Sequence, residues 1–525
     1  MKRWPIGVTV SALLVYLLVS ISQLSVFPPV GEDEPWIASA SYKLATDGVY
    51  GSDLFTGYYG MERHVYEHMP VYPLLQAGVF KLFGVGVLQM RLLPVVLGLA
   101  LAITVWAVGR QTAGDRTGAL AVVLLVVLRL ADGGAATGIL LLDRARISRY
   151  DIAVPVFGLL ALLAFNRAER TRARVWYAVA GALAGLSSLT HLYGLFWLAV
   201  FAVVIVARRG WRAAGDAANW LTVVGFAVTW IPWAAFVVPN WSDYLGQMRT
   251  SSDRFDLFNP SFYFTNIARE FDRYRFIDVF DSSGSLHLMR PGFWTALIGI
   301  PLAVAAILWQ TRRRRNDAAF ALAVALIVQA SLFATLLSTK SSNYVIALWP
   351  IGVLSLAWFS VWLWDRWPNA RRRLALGALL VIILIEGSTR IVHARVTARQ
   401  TTPYDWFEGQ VAACIPEGSA VLGFQHYWLG LRQFPYRTGL LPLAYANPAL
   451  YHDPIPFDRA IERVNPDVLL VDRYLTDLLE TTRDPGHPYH RVHAGFEAYA
   501  ARHQLEPLCV VKDRTYGTIA VYRVR

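Results

Sequence analysis

Residues 6–27 read IGVTVSALLVYLLVSISQLSVF, and PPVGEDEPW follows at 28–36. The first stretch is almost wholly apolar and long enough to cross a hydrocarbon core of about 30 Å. It exceeds a signal-peptide core and has no small-residue cleavage site before Phe27-Pro28-Pro29, so it reads as a retained helix. Three carboxylates, Glu32, Asp33 and Glu34, stand at its far end. At a membrane surface such a cluster is either a solvated helix cap or a reactive site facing a lipid-borne substrate.

The rest of the chain repeats the first pattern. It is 55% hydrophobic and 16% charged, with mean hydropathy +0.39. Its apolar residues come in long blocks, as in a polytopic α-helical membrane protein. Eleven spans are expected, over 6–27, 87–109, 118–142, 152–165, 175–190, 192–207, 218–239, 292–310, 317–338, 344–364 and 374–389. Arg129 and Asp132 interrupt the third, where a helix-internal pair at i, i+3 is the simplest reading.

Net charge is +12, yet nothing points to nucleic acid. The cations fall in every second gap: Arg110/Arg116, Arg167–Arg174, Arg208–Arg212, Arg312–Arg315 and Arg366–Arg373. That alternation puts the N-terminus in the cytoplasm and, with an odd number of spans, the C-terminus outside.

Two outer segments are long, 28–86 and 240–291. In the first, Trp36, Ile37, Ala40 and Leu44 recur at helical spacing, which predicts a helix on the membrane surface. The second mixes aromatics with arginines and suits a functional lid. After a membrane domain of residues 1–389, residues 390–525 alternate short apolar runs (420–424, 467–472, 509–511, 519–522) with helical stretches (457–464, 473–482, 494–503), a small α/β domain outside the membrane. Residues 513–517 suit a hairpin turn. Cys414 and Cys509 both lie there, and a disulfide and two buried thiols stay equally open.

Under this topology Asp33/Glu34, Glu67/His68, Arg144/Arg146/Arg149/Asp151, His191, the 240–291 arginines and Lys340 share the outer face. A carboxylate there can take a proton from a hydroxyl, and cations can hold a departing phosphate. Each residue alone also has an ordinary reading. Asp33 and Glu34 suit a helix start, Lys340 can snorkel, and Arg146 and Arg149 can be interfacial.

An ordered set of segments carries a resemblance: GEDEPWIASASYKLATDG (31–48), YEHMPVYPLLQAGVFKLFG (66–84), RLLPVVLGLALAITVWAVGR (91–110), RISRYDIAVPVFGLLAL (146–162) and STKSSNYVIALWPIGVLSL (338–356). Together they resemble family 39-like glycosyltransferases of the GT-C superfamily, which include protein O-mannosyltransferase-like enzymes and lipid A aminoarabinose transferases. The resemblance implies transfer of a sugar from a polyprenyl-phosphate donor to a lipid, protein or glycan hydroxyl by inverting displacement, in a plasma membrane. It implies Asp33 as base with Glu34 beside it. His68, Lys340 and Tyr344, together with Arg146 and Arg149, are expected at the donor phosphate. His68 stands where relatives have Lys. A divalent metal at Glu67 is left open, and no other cofactor is expected. The rival readings are a transporter or lipid flippase, which calls for repeated halves, and a non-catalytic envelope-assembly subunit.

Overall fold

The computed structural model describes residues 4–131, 136–249, 254, 256–277, 290–313, 316–484, 487 and 489–525. Its helices are α1 (Trp4–Ile21), α2 (Asp33–Asp47), α3 (Val71–Phe83), α4 (Val87–Ala113), α5 (Asp115–Val127), α6 (Leu140–Ala145), α7 (Ala153–Thr171), α8 (Arg174–Ser188), α9 (Phe196–Arg209), α10 (Ala217–Val237), α11 (Trp241–Met248), α12 (Pro260–Ala268), α13 (Pro291–Arg313), α14 (Asp317–Leu336), α15 (Val345–Arg366) and α16 (Ala370–Gln400), before a C-terminal α/β domain. Among the described residues, nine helical stretches are long and apolar enough to cross a bilayer. The protein is a multi-pass membrane protein.

Two expected spans are shorter than foreseen. The one at 118–142 ends at Val127, the last residue of α5. Beyond it Leu130 and Ala131 donate backbone hydrogen bonds to the Gly138 carbonyl, so the chain folds back on itself. Arg129 therefore does not pair within a helix: its Nη1 lies 3.5 Å from Glu386 on α16. Asp132 lies outside the described residues. The span expected at 175–190 is the 15-residue α8. It packs against α10 backbone to backbone, since a Cβ on Gly181 would fall 1.9 Å from the Thr222 carbonyl oxygen. Small residues permit that approach.

The last span continues past 389 to Gln400. Beyond it five strands form, β1 (Val421–Gly423), β2 (Tyr436–Thr438), β3 (Val468–Val471), β4 (Glu506–Asp513) and β5 (Gly517–Arg523), in sheet order β2-β1-β3-β5-β4. β1 runs parallel to β2 and β3, while β5 is antiparallel to β3 and β4. The buried runs Val421–Gly423 and Val468–Leu470 are the centre of the sheet. Cys414 and Cys509 are bonded, with Cα atoms 6.1 Å apart.

This domain is seated on the 28–86 segment. The Tyr58 hydroxyl donates to the Leu450 carbonyl at 3.1 Å, and the His452 amide donates to the Tyr59 hydroxyl at 2.9 Å. Leu54, Phe55 and Met61 share one buried cluster with Phe407, Tyr427 and Leu441. Helix α2 forms as its apolar spacing predicts, but most of it is enclosed rather than laid open on a surface: Tyr42 meets Trp428 edge-on at 5.6 Å.

Disulfide removal tests this packing. Cys414→Ser with Cys509→Ser is expected to lower stability by about 2–5 kcal/mol. Thermal unfolding in detergent, with and without reductant, measures it: reductant shifts the natural protein and leaves the double variant unmoved.

Candidate active site

The acidic run divides at the first turn of α2. Successive helical residues point about 100° apart, so Asp33 and Glu34 face different surroundings. Glu34 is 1% exposed. Its Oε1 accepts from Arg91 Nε at 2.8 Å and from the Ser148 amide at 2.8 Å, and its Oε2 from Arg91 Nη2 at 2.7 Å and the Gly31 amide at 3.1 Å. Arg91, wholly buried on α4, also donates to the carbonyls of Leu24 and Pro28. A buried bidentate pair with every lone pair used is a structural tie, not a reacting group.

Asp33 is the opposite case, with its side chain 46% exposed. Oδ2 pairs with Arg149 Nη1, whose Nε donates to Asp151 Oδ2 at 2.8 Å. Asp151 is buried and also accepts from the Tyr193 hydroxyl at 3.3 Å. Asp33 Oδ1 makes no hydrogen bond among the described residues.

Beside this carboxylate–guanidinium–carboxylate row lies a cavity of about 400 Å³, lined by Tyr66, Glu67, Met69, Tyr150, His191, Tyr244, Arg249, Arg254, Thr339 and Tyr344 among others. The row joins it through Tyr150, whose ring faces the Arg149 guanidinium at 5.6 Å. The His191 ring sits 5.3 Å from Tyr150 and 5.0 Å from Tyr344. Helix α11 roofs the cavity and is held by a buried amide. Gln247 donates to the carbonyls of Tyr59 and His64 at 3.0 and 2.9 Å and accepts from the Tyr66 amide at 2.8 Å.

The expected phosphate ligands are only partly brought together. Tyr344 and Glu67 line the cavity, whereas Asp33 and Arg149 are not among its lining residues and connect to it through the Tyr150 ring. Arg146 does not reach it: buried beside α1, it donates to the carbonyls of Val19 and Phe27 at 2.6 and 2.7 Å. Lys340 is turned away, its Nζ 2.7 Å from Glu270 and 3.1 Å from the Ala334 carbonyl. Burial lowers its pKa while Glu270 opposes that shift. Glu270 also takes Arg273 at 2.8 Å, which ties the segment after α12 to the end of α14. His68 is buried against Trp36 and Tyr150, its Nε2 without a hydrogen-bond partner among the described residues. Burial pushes its pKa down to about 4, so it is neutral near pH 7 and supplies no cation. No three His, Cys, Asp or Glu side chains converge as a metal site among the described residues, so Glu67 lacks the companions a resident divalent ion needs.

The cations that do reach the cavity are Arg249 and Arg254, two of the loop arginines that no sequence motif distinguishes. Tyr150 is not among the residues expected at the site, whereas His191 is among the polar groups expected on the outer face. The rings around His191, those of Tyr150, Tyr193 and Tyr344, come from three separate segments, which sequence spacing does not reveal.

Residues 67–236 match the dolichyl-phosphate-mannose-protein mannosyltransferase family. No curated protein matches the sequence. Among solved structures, ArnT from Cupriavidus metallidurans bound to undecaprenyl phosphate is 15% identical with a TM-score of 0.63, over 99% of this chain and 98% of that one. The apo oligosaccharyltransferase of Archaeoglobus fulgidus is 13% identical with a TM-score of 0.62, over 92% of this chain and 71% of that one. AglB of the same organism, in complex with an inhibitory peptide and a dolichol-phosphate, is 12% identical with a TM-score of 0.59, over 99% of this chain and 74% of that one. At this identity the likeness is one of fold.

Two outcomes follow from the buried groups. Arg91→Leu strands the Glu34 carboxylate and is expected to cost about 3–5 kcal/mol, seen as a lower unfolding temperature, with Glu34→Gln/Arg91→Leu less damaged than the single change. His68 and His191 are both held neutral by burial, each at about 4 against an ordinary 6.5. As pH falls below 6.5 the unfolded chain gains protons first. Stability is therefore full above that value and declines toward pH 4, and His68→Gln makes a pH series of unfolding temperatures shallower.

Proposed function

From its GT-C fold as the starting point, we propose that this chain is a membrane glycosyltransferase that moves a sugar from a polyprenyl phosphate to an acceptor hydroxyl. The observation that carries the reading is Asp33: a half-exposed carboxylate with Oδ1 open, held by Arg149, whose guanidinium faces Tyr150 on the wall of a cavity of aromatic rings and arginines. The ArnT and AglB structures bound to lipid phosphates support a donor of that class.

In this reading the acceptor oxygen attacks the anomeric carbon while Asp33 Oδ1 takes its proton. The bond from that carbon to the phosphate oxygen breaks, its electron pair leaves with polyprenyl phosphate, and the anomeric centre inverts. Arg249, Arg254 and the Tyr344 hydroxyl stabilise the phosphate as charge develops on it. The faces of Tyr150, Tyr244 and Tyr66 suit a sugar ring. Arg149 aims Asp33, and Glu34 acts only by anchoring α2. Lys340 works at one remove, holding Glu270 and Arg273 under the cavity floor. A resident metal has no part in this scheme.

In this reading the chain sits in a plasma membrane with the cavity and the C-terminal domain on its extracytoplasmic side. The arginine clusters lie at the opposite helix ends. The Cys414–Cys509 bond suits an oxidising compartment.

Mass spectrometry of the cell envelope tests the reading. Cells without the chain are expected to lose one sugar modification, restored by the natural protein. Asp33→Asn, made at equal level and with unchanged unfolding temperature, is expected to transfer at least about 100-fold more slowly. Near-normal transfer by that variant removes Asp33 from the chemistry.

A further inference from the structure

At the other end of the bundle, α16 stands partly away from its neighbours. None of residues 370–382 is buried, and the buried residues of α16, Ile383, Gly387, Ala394 and Ala398, all lie beyond them. There it docks tightly, since a Cβ on Gly387 would fall 2.2 Å from the Val127 carbonyl oxygen. Residues 370–382 are splayed and leave a groove on each side. One groove, about 420 Å³, runs between α16 and α1, α5 and α15, past Val8, Ala119, Val123 and Leu384. The other, about 310 Å³, runs toward α13, past Trp294, Ile298 and Phe359. Both touch Leu124, Ser360, Leu376 and Leu380, so they are adjoining furrows with one shared wall.

The walls are nearly all apolar, while the mouth is cationic. Arg371, Arg372 and Arg373 open α16, and Arg366 closes α15 against the Trp362 ring at 4.6 Å. The nearby acids are already engaged, Asp365 with Arg116 at 2.7 Å and Asp115 with Arg110 at 2.9 Å. Arg371 and Arg372 have no acidic partner among the described residues. Trp4, Trp309 and Trp364 are exposed at the same level, as aromatic side chains are at a membrane–water boundary. This level is remote from the cavity: α15 leads from Tyr344 to Trp364, about 30 Å at 1.5 Å per residue.

We propose that the paired grooves hold the two acyl chains of one anionic phospholipid, with its phosphate on Arg371–Arg373, in the leaflet opposite the cavity. Two furrows with a common wall match a lipid of two chains. A ring of arginines in excess over its acids matches a negative headgroup rather than a zwitterionic one. The inference rests on the grooves and their rim and stands whether or not sugar transfer is the chain's reaction.

Native mass spectrometry of the full chain in detergent, titrated with palmitoyl-oleoyl phosphatidylglycerol or phosphatidylcholine, tests it. The expected result is an adduct about tenfold tighter for phosphatidylglycerol. Changing Arg371, Arg372 and Arg373 to Gln together should bring the two lipids close to equal. Ala119→Trp with Leu380→Trp, which fills the grooves and leaves the rim intact, should weaken both adducts. Unfolding temperatures near that of the natural protein confirm that the variants fold, and Leu376→Phe serves if the double change does not. Equal binding of both lipids by the natural chain overturns the proposal. So does a phosphatidylglycerol preference that survives groove filling, which assigns it to surface charge alone. A dimer without lipid adducts also overturns it, because a second copy then covers the face.

Discussion

The Glu34–Arg91 pair is the tie on which the outer half of the molecule depends. Arg91 belongs to α4, deep in the bundle, and Glu34 to the first turn of α2. Their contact brings in the carbonyls of Leu24 and Pro28 and the amides of Gly31 and Ser148, so three chain segments, 24–34, Arg91 and Ser148, meet at one ion pair. The desolvation of two charges is offset only because each donor and acceptor is used. With α2 fixed in this way, Asp33 has one direction to face, and Ser148 sets the start of the strand-like turn that presents Arg149. The geometry of the exposed carboxylate is thus inherited from the buried one.

Around this tie the protein separates two uses of charge. Asp33, Arg149 and Asp151 form a row open at one end, with Arg249 and Arg254 across the cavity. Lys340, Glu270 and Arg273 form a closed cluster just beyond it. The first keeps an unoccupied acceptor atom. The second has none to spare, and its contribution is to hold loop to helix.

Much of the fold was legible in sequence because its causes are local. Apolar block length announces a span, and the apolar runs at 421–423 and 468–471 announce central strands. What failed depends on partners far away in the chain. The break after Val127 follows from Arg129 meeting Glu386, and β2 is three residues that hold only because β1 lies beside them. For the site, the DE pair stood out, but nothing in its letters says which carboxylate is buried. That is decided by Arg91, 57 positions away from Glu34. Equally, Arg146 and Lys340 have the composition of anion ligands, and their commitment to backbone carbonyls and Glu270 is visible only in three dimensions.

Arg91, Arg146, Arg273 and Arg290 share one habit: each guanidinium reaches two or more backbone carbonyls where a helix stops or a loop begins. A planar fork with five donors can bridge chain segments that diverge, and a lysine ammonium cannot span them in the same way. Part of the excess positive charge is therefore mortar rather than field. A reader who sums the charges of this chain to estimate its pull on an anion counts arginines that face inward. The electrostatic surface is smaller than the formula suggests, and it is concentrated where helices end in water.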